Sequence, residues 1–557
     1  MGCSIIETSQ VTDSKSKNFI IGSGPAAVGA AMGLDHVHVV DAGGSLESAP
    51  ANRAASLGRK ARSLWPKDDV EWLKSTLQPN TNGVETKLSF GSNYPYEIPK
   101  SGPAWDVRGG LKPSFAFGGL STVWGASVLP YRQDEITKWP ITLKELEPHY
   151  RAVLAETGVS GVRDDLEEIF PSYHDAPSFL EASSQAEAVL GRWHKNRRKL
   201  IEGGFRWGKS RLLVSGKHVG ASPGRLSYHR SNELAAENAC VECGMCMYGC
   251  PYDLIYSSRK TMRKWEEVGK IKYDAGILIE GFQELADRVE VWGRNLSTGA
   301  EWKGETERLF LGGGVLSSTA MVMQSLGIEN RSVEILDSQY FTIPLLSFRG
   351  TKGVRESRLH TLAQIFLEIM PAEISKQLIH LQIYTYNNMI NRVLQQKAGP
   401  LAGLLDPVIR QMEGRLFFLQ GFLHSDDSGR LRITMGATQG SQKKFSIEPM
   451  VNPRVGAMVK KVFAKLASHL SDLGFCPILP MASLGEPGRS FHSGGSMPMG
   501  GDSQKHSIVT DRLGRPNRLK RVHVIDASTF PSISATTITL TAMANARRIA
   551  CEAAELE

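Results

Sequence analysis

Residues 18–43 read NFIIGSGPAAVGAAMGLDHVHVVDAG, which has the pattern of a nucleotide-binding unit. An apolar strand runs into Gly22, Gly24 and Ala27, a helix of small residues follows, and a second strand ends in Asp41. In a dinucleotide-binding unit the glycines allow a tight turn and a close approach of the pyrophosphate, while the acidic residue binds ribose hydroxyls. Because only 19 residues separate Gly22 from Asp41, the intervening helix is predicted to be short.

Two later glycine-rich segments extend this pattern. Residues 115–125 read FAFGGLSTVWG, and residues 308–327 read RLFLGGGVLSSTAMVMQSLG, which predicts a strand, a turn and a helix. Residues 277–292, ILIEGFQELADRVEVW, alternate like a β-hairpin. The first fingerprint alone is compatible with FAD or NAD, and these segments in this order favour FAD.

The C-terminal part carries the candidate chemistry. Residues 491–500 read FHSGGSMPMG and place His492 before a glycine-rich turn. Residues 511–548 predict a strand ending at Asp526, a turn with proline, and a helix starting near Thr536 and Thr537. Ser and Thr are good N-cap residues, and the positive end of such a helix would stabilise the negative charge that a flavin gathers on accepting hydride.

Composition and charge limit the class of protein. The 557 residues are 41% hydrophobic and 22% charged, which indicates a soluble chain of two or more domains. The formal net charge is +8, and residues 193–211, WHKNRRKLIEGGFRWGKSR, hold a visible share of it. A solvated surface is the favoured interpretation of this basic stretch, and without aromatic platforms around it no nucleic-acid partner is expected.

Targeting signals are not recognisable. No run of 18 apolar residues predicts a membrane span, and MGCSIIETSQVTDSKSK lacks the features of a secretory signal. Ile6 stands where myristoylation after Gly2 needs Ser or Thr. Cys3, Cys476 and Cys551 are far apart in the sequence, so a reducing compartment is favoured and a cytoplasmic location is expected.

The motifs together resemble the glucose-methanol-choline (GMC) oxidoreductase family. The resemblance rests on the N-terminal fingerprint and on five later segments in the family's order, and it is weakest between residues 330 and 480. These segments are GGLSTVWG, KWPITLKELEPHY, GGGVLSSTAMVMQS, HSGGSMPMG and VIDASTFP.

The resemblance implies an α/β fold with a Rossmann-like FAD-binding domain and a discontinuous α+β substrate domain, whose antiparallel sheet covers the flavin. Residues 17–140, 226–330 and 482–557 are expected to form the FAD domain. Residues 141–225 and 331–481 are expected to form the substrate domain, and residues 1–16 a flexible tail.

The resemblance also implies roles for single residues. His492 aligns with the histidine that accepts the proton of the substrate hydroxyl, and imidazole suits this role because it titrates near neutrality. The residues expected to contact FAD are Gly22, Gly24, Ala27 and Asp41 at its ADP half, Gly118, Gly119 and Ser121 along the pyrophosphate, Trp124 and Gly125 beside the ring, and Asp526, Thr536 and Thr537 near the ribityl chain and the helix start.

One position departs from the family. A second histidine or an asparagine is usual just before the last helix, and this slot falls on Ala535 or Thr536, neither of which is a base at neutral pH. His380 and His424 are alternative partners, although packed or surface histidines are the favoured interpretation of both.

The least informative part of the chain is residues 331–480. YFTIPLLSF, RLHTLAQIFLEI and HLQIYTYN predict strands, whereas ISKQL and NRVLQQKAGPLAGLLDPVIRQM predict helices. Polar and aromatic side chains of this part are candidates for lining a sugar-sized pocket, with packing as the alternative. They are Tyr384, Tyr386, Asn387 and Asn388.

A cysteine run, CVECGMCMYGCP at residues 240–251, has the spacing of a ferredoxin-type loop. Cys240, Cys243, Cys246 and Cys250 are therefore candidates for a [3Fe-4S] or [4Fe-4S] cluster, with zinc or packed thiols without metal as alternatives. A cluster near the flavin would pass single electrons to an acceptor protein or quinone.

Three functions follow as hypotheses. The leading one is an FAD-dependent dehydrogenase or oxidase that acts on a CH-OH group of a sugar-like or polyhydroxylated small molecule. The alternatives are a non-redox lyase or isomerase that keeps FAD as structure, and a flavin subunit that relays electrons to a redox partner.

Overall fold

The computed structural model describes residues 12–75, 87–174, 178–218, 239–354, 357, 359–370, 373–387, 399–439, 442–517 and 519–556. Gly2, Cys3, Ile6 and Asn388, named above, lie outside the described residues.

The described strands form three large sheets and one two-stranded sheet. In chain order they are β1 (Thr12–Ile21), β2 (Val37–Val40), β3 (Ala104–Val107), β4 (Ser178–Phe179), β5 (Phe205–Lys209), β6 (Lys217–His218), β7 (Ile271–Asp274), β8 (Ile277–Glu284), β9 (Val289–Asn295), β10 (Glu301–Leu311), β11 (Ser332–Asp337), β12 (Tyr340–Ser347), β13 (Ile365–Ile369), β14 (Ile379–Tyr384), β15 (Leu416–Phe422), β16 (Arg430–Gln439), β17 (Gln442–Met450), β18 (Phe475–Pro477), β19 (Ser483–Leu484), β20 (Ser493–Gly494) and β21 (Val522–Val524).

The described α-helices connect and cover these sheets. In chain order they are α1 (Pro25–Ala31), α2 (Ser48–Gly58), α3 (Lys67–Ser75), α4 (Leu143–Thr157), α5 (Ser184–Lys195), α6 (Arg197–Glu202), α7 (Ser258–Glu267), α8 (Val315–Ser325), α9 (Ala402–Met412), α10 (Val455–Ser468), α11 (Leu470–Leu473) and α12 (Thr539–Ala554).

The first sheet contains the predicted dinucleotide unit. Its strand order is β7-β2-β1-β10-β9-β8, with β21 beside β10. Strands β1, β2, β7, β10 and β21 run parallel, and β8 and β9 form the predicted antiparallel hairpin. Helix α1 is short, as predicted, and packs on α12. The packing is close, because a Cβ at Gly29 would lie 2.2 Å from the Met543 carbonyl oxygen.

Strand β1 begins earlier than the sequence indicates. Residues 12–16, assigned above to a flexible tail, form its first half and pair with β10 in a parallel ladder. The polar sequence TDSKS hides this strand, because the usual apolar signal starts only at Phe19.

The second large sheet has the strand order β18-β12-β15-β14-β13-β5, and its paired strands are antiparallel. Side chains alternate between its faces, so one face is apolar and shares a core with α5 and α10 that includes Phe341, Leu381 and Leu419. The predicted strands β12, β13 and β14 are confirmed. The predicted helix at ISKQL is wrong, because the Ser375 hydroxyl accepts a hydrogen bond from the Gln377 amide (2.8 Å) in a local turn.

The third sheet, with the order β20-β11-β16-β17-β3, places the segment that follows His492. Strand β20 pairs with the end of β11, so that Ser493 lies opposite Asp337. Buried residues of this sheet, among them Ile335, Leu431 and Phe445, join the core beneath the first sheet. The glycine-rich turn after His492 is therefore fixed between two sheets.

The basic stretch at residues 193–211 forms ion pairs with neighbouring acids. Arg197 lies 3.0 Å from Asp165, and Lys209 lies 2.6 Å from Glu187. This arrangement agrees with the interpretation of the stretch as a charged surface. Among the described residues, no helix combines the length and the apolar character that a bilayer crossing needs.

Candidate active site

A large cavity extends from the turn after β1 to the polar face of the second sheet. It encloses about 2560 Å³ free of protein atoms, part of it open to solvent. The turn after β1, the turn after β10, the segment before α12 and the segment around His492 all contribute to its wall. The cavity therefore brings the predicted nucleotide turns and the predicted proton acceptor to one site.

The glycines of the first turn have two different physical roles. Gly22 has a φ of +94°, and a Cβ there would lie 2.8 Å from the Gly312 carbonyl oxygen. Gly24 precedes α1 with an ordinary φ of −70°, and a Cβ there would meet no protein atom within 4 Å. Gly22 thus allows the two glycine-rich turns to pack, and Gly24 leaves open space at the start of a helix.

Asp41 ends the second strand as predicted and lines the cavity. Its carboxylate accepts hydrogen bonds from the Ser23 hydroxyl and from the Tyr273 hydroxyl, the latter at 3.3 Å. Burial raises the pKa of Asp41 to about 6, so most of this carboxyl is ionised at pH 7. Ser23 also accepts a hydrogen bond from the Gly118 amide at 2.8 Å, which ties the second glycine-rich segment to the first turn.

The predicted FAD contacts fall into two groups. Those that line the cavity are Gly22, Gly24, Asp41, Gly119, Ser121, Trp124, Gly125, Asp526 and Thr537. Ala27, Gly118 and Thr536 do not line it. Ala27 is fully buried in α1, and a Cβ at Gly118 would lie 2.9 Å from the Arg259 amide nitrogen, so these small residues serve close packing.

Asp526 connects two parts of the wall. Its carboxylate accepts hydrogen bonds from the Gly314 amide (2.9 Å), the Ser318 hydroxyl (2.6 Å) and the Ser528 amide (2.9 Å). Burial raises the pKa of this carboxyl above its ordinary value. Asp526 therefore fixes the turn after β10 against the segment that leads to the last helix.

The last helix starts later than expected. Helix α12 begins at Thr539, and no side chain caps its N-terminal amides. The Thr537 hydroxyl accepts from the Leu129 amide (3.2 Å), and Thr536 bonds to Ser534, so neither threonine is the cap that the sequence suggested. Ile538 and Thr539 line the cavity, which places the positive end of α12 at its wall.

His492 lines the cavity, and its main chain is held at both ends. Its amide donates to the Ser490 hydroxyl (3.0 Å), and its carbonyl accepts from the Ser338 amide (3.0 Å). The ring stacks on Phe422 with centroids 5.0 Å apart, and Nδ1 is buried with no hydrogen-bond partner among the described residues. Burial, aided by the nearby His380, lowers the pKa of His492 to about 4, so its imidazole is neutral at pH 7.

The slot expected for a second base, just before the last helix, is filled by Ala535 and Thr536. Both residues are fully buried outside the cavity wall. His380 and His424 are also buried away from the cavity wall. His380 Nδ1 lies 2.7 Å from a Glu368 oxygen, and His424 Nδ1 accepts from the Asp426 amide at 3.1 Å, whereas His424 Nε2 has no hydrogen-bond partner among the described residues. Neither histidine is therefore placed to contact a molecule in the cavity directly.

Polar side chains of the second sheet also line the cavity. They include Gln382, Tyr384 and Gln420. Tyr384 was predicted, whereas Tyr386 and Asn387 do not line the wall. The two glutamines were missed, although Gln382 is two residues from Tyr384 on β14 and so shares its face, and it pairs directly with Gln420 on β15. That Gln382 and Gln420 are neighbours follows only from the register of β14 and β15.

Lys87 is a further cavity residue that the sequence did not indicate. Its ammonium donates to the Trp124 carbonyl at 2.9 Å. Burial lowers the pKa of Lys87 to about 8, and the thiols of Cys246 and Cys250 lie close enough to interact with its charge. The cysteine loop therefore borders the cavity wall.

The four cysteines of this loop do not form a metal site. Among the described residues, no group of three or more His, Cys, Asp or Glu side chains is arranged to hold a metal ion. Burial raises the pKa of the Cys250 thiol to about 11 and that of Cys243 above its ordinary value. Packed thiols without a metal account for the loop, and the predicted iron–sulfur cluster or zinc at Cys240, Cys243, Cys246 and Cys250 is not supported.

The cavity fits a flavin dinucleotide. The open space at Gly24 and at Gly125, where a Cβ would also meet nothing within 4 Å, leaves room for a bulky group along the wall. The uncapped positive end of α12 suits the electron-accepting part of a flavin, and Asp41 suits ribose hydroxyls.

Comparisons with known proteins agree with this geometry. Residues 482–546 match a family model described as GMC oxidoreductase. Among solved structures, pyridoxine 4-oxidase from Mesorbium loti is similar over 97% of this chain and 99% of its own, with 14% identity and a TM-score of 0.58. A formate oxidase is similar over 98% and 99%, with 13% identity and a TM-score of 0.56.

A variant of the Aspergillus oryzae formate oxidase, studied for its effect on FAD modification, is similar at 12% identity with a TM-score of 0.55. No curated protein matches the sequence. The resemblance to GMC oxidoreductases and the fold class inferred from the sequence are confirmed.

Proposed function

On the premise of this GMC oxidoreductase fold, we propose that the protein is an FAD-dependent oxidoreductase acting on a CH-OH group of a polyhydroxylated small molecule. Bound FAD would supply the acceptor for the hydride that leaves the alcohol carbon. The residues of this chain would hold the cofactor, orient the alcohol and accept the hydroxyl proton. The electron acceptor of the second half-reaction and the cytoplasmic location stay predictions.

The residues that would hold FAD are those of the cavity wall. The turn at Gly22 and Gly24 would receive the pyrophosphate, and Asp41 would bind the ribose. Trp124, Gly125 and the start of α12 would border the ring.

The observation that carries the proposal is the state of His492. Its ring faces the cavity, is neutral at pH 7, and has only Nε2 available because Nδ1 is enclosed. A neutral imidazole next to a bound alcohol is competent to take the hydroxyl proton as the C-H bond breaks. The stack on Phe422 holds the ring in place for this transfer.

Anaerobic reduction of the bound flavin tests the proposal. The purified protein should be yellow, and an alcohol substrate should bleach the oxidised flavin band. His492→Ala should slow bleaching by about 100-fold or more while FAD stays bound, which is the usual size of a general-base contribution. His194→Ala, an exposed histidine on α5, is the matched control and should leave the rate unchanged. Unchanged reduction in His492→Ala would remove this residue from the chemistry.

One observation favours the second candidate, a lyase or isomerase that keeps FAD as structure. The slot of the second base is filled by Ala535 and Thr536, both buried outside the cavity. Product formation from an alcohol with no change in the flavin spectrum would establish this candidate instead.

A further inference from the structure

A chain of hydrogen bonds runs from a fully buried acid to the cavity wall. Glu368 and His380 are both 0% exposed, and a Glu368 oxygen lies 2.7 Å from His380 Nδ1. His380 Nε2 lies 3.2 Å from the amide nitrogen of Gln382. The carbonyl oxygen of Gln382 in turn lies 3.0 Å from the Tyr384 hydroxyl. Glu368 and His380 do not line the cavity, whereas Gln382 and Tyr384 do.

The strand register explains why these groups meet. Glu368 lies directly opposite His380 across β13 and β14, and His380, Gln382 and Tyr384 alternate along β14 on one face. Gln420 lies opposite Gln382 on β15. One face of three neighbouring strands thus carries a continuous polar row into the cavity.

The acid at the buried end determines which group donates and which accepts in each hydrogen bond of this series. The Arg211 guanidinium, which is also buried, is close enough to Glu368 to interact with it electrostatically. A carboxylate only accepts, so with Glu368 as a carboxylate His380 donates from Nδ1 and its Nε2 accepts from the Gln382 amide. The Gln382 carbonyl then faces Tyr384 and accepts from the Tyr384 hydroxyl.

The cavity end of this chain has a defined hydrogen-bonding character. Because the Tyr384 proton points to Gln382, the lone pairs of its oxygen are left for the cavity. Burial raises the pKa of Tyr384 well above its ordinary value, so the hydroxyl stays protonated. The Gln420 oxygen lies 3.4 Å from the same hydroxyl, and its amide nitrogen has no partner among the described residues. Tyr384 offers an acceptor and Gln420 a donor.

From this geometry we infer that Tyr384 and Gln420 bind a second hydroxyl group of the substrate, and that Glu368 and His380 are positioning residues that set this specificity through Gln382. A hydroxyl is the group that both donates and accepts, so a diol or polyol fits the wall better than its methyl ether. This inference rests on the proposed function, because it names the substrate class of the same site.

The histidine tautomer provides a readout that does not depend on activity. In the holoenzyme with 15N-labelled histidine, the His380 resonances, assigned by loss in His380→Gln, should report a proton on Nδ1. In Glu368→Gln the new amide can donate to Nδ1 as well as accept from it, so a population of His380 with its proton on Nε2 should appear. Glu373→Gln, which alters an exposed acid, is the matched control and should leave the tautomer unchanged.

Substrate discrimination provides the second readout. Straight-chain 1,2-, 1,3- and 1,4-diols are compared with their monomethyl ethers in anaerobic flavin reduction. The wild-type protein should prefer the best diol over its ether by about 10-fold, the value of one good hydrogen bond. In Glu368→Gln the Gln382 amide turns, Tyr384 becomes a donor, and this preference should fall to within about twofold, mainly through the half-saturating concentration. Tyr384→Phe should also remove the preference for the diol over its ether. This variant provides the test if Glu368→Gln does not fold.

The outcomes separate the two proposals. A flavin that none of these alcohols reduces contradicts the proposed function. A flavin that is reduced with the same preference for the diol in wild type and in Tyr384→Phe contradicts the present inference. A His380 proton on Nε2 in the wild-type holoenzyme contradicts the inferred direction of the hydrogen bonds from Glu368 to Tyr384.

Discussion

Alanine at Gly22 and alanine at Gly24 should separate the folding role of the nucleotide turn from its binding role. At Gly24 the backbone is ordinary and a Cβ would touch nothing within 4 Å, so the protein without FAD should tolerate the methyl group. The expected change in the free energy of unfolding is within about 1 kcal/mol, since a weaker N-cap and the lower entropy of the unfolded chain oppose each other.

Alanine at Gly22 should destabilise the fold itself. A φ of +94° costs an L-residue about 1–2 kcal/mol, and the Cβ would press on a backbone oxygen 2.8 Å away that cannot rotate aside. A total loss of about 2–4 kcal/mol in the free energy of unfolding follows.

Both variants should lose FAD. The methyl group of Gly24→Ala would occupy the space proposed for the pyrophosphate, and a loss of about 2–3 kcal/mol would raise the dissociation constant of FAD roughly 30- to 150-fold. Thermal unfolding of the FAD-free proteins and titration with FAD measure the two effects. Gly191→Ala, in an open position of α5, is the control and should keep FAD binding unchanged. Wild-type affinity in Gly24→Ala would refute the placement of the pyrophosphate, and wild-type stability in Gly22→Ala would refute the steric reasoning.

Two further predictions concern pH and metal. Because burial depresses the pKa of His492 from 6.5 to about 4, the folded protein binds fewer protons than the unfolded chain between these values, so its stability should fall as the pH drops through this window. Flavin reduction should be independent of pH above about 6 and decline toward pH 4, and a decline centred near pH 6.5 would contradict a buried neutral base. Iron, sulfide and zinc should be substoichiometric in protein purified anaerobically, and a chelator should leave its melting temperature unchanged, whereas one cluster per chain would restore the ferredoxin-type interpretation of Cys240–Cys250.

The sequence predicts those parts of the fold whose signals are local. The glycines and the acid of the first turn imply a short helix, the alternation at residues 277–292 implies a hairpin, and both are observed. The start of α12 was misplaced because Thr536 and Thr537 are good caps in isolation, yet both side chains are engaged elsewhere. The beginning of β1 was missed because its residues are polar.

The candidate site was only partly predictable, because some of its neighbouring residues are far apart in the sequence. The motif around His492 identifies this residue in the sequence. Gln382 and Gln420, by contrast, are 38 positions apart and become neighbours only through the register of β14 and β15. For the cysteine run, the sequence instead predicts a metal site that the structure does not support. Regular spacing along the chain does not ensure that the thiols converge on one point. Thiols packed in an enclosed loop need no metal.

The lack of a base at Ala535 and Thr536 is compatible, on electrostatic grounds, with the proposed role of His492 as proton acceptor. When the hydroxyl proton moves to the imidazole, a positive charge forms in an enclosed site, which burial disfavours. The substrate oxygen gains negative charge at the same time, and the uncapped end of α12 and the new imidazolium both stabilise it. A histidine or asparagine in the slot of Ala535 would add one more donor to that oxygen. In this chain Thr539 and the start of α12 line the wall, and an effect on that oxygen requires the oxygen to lie between His492 and α12.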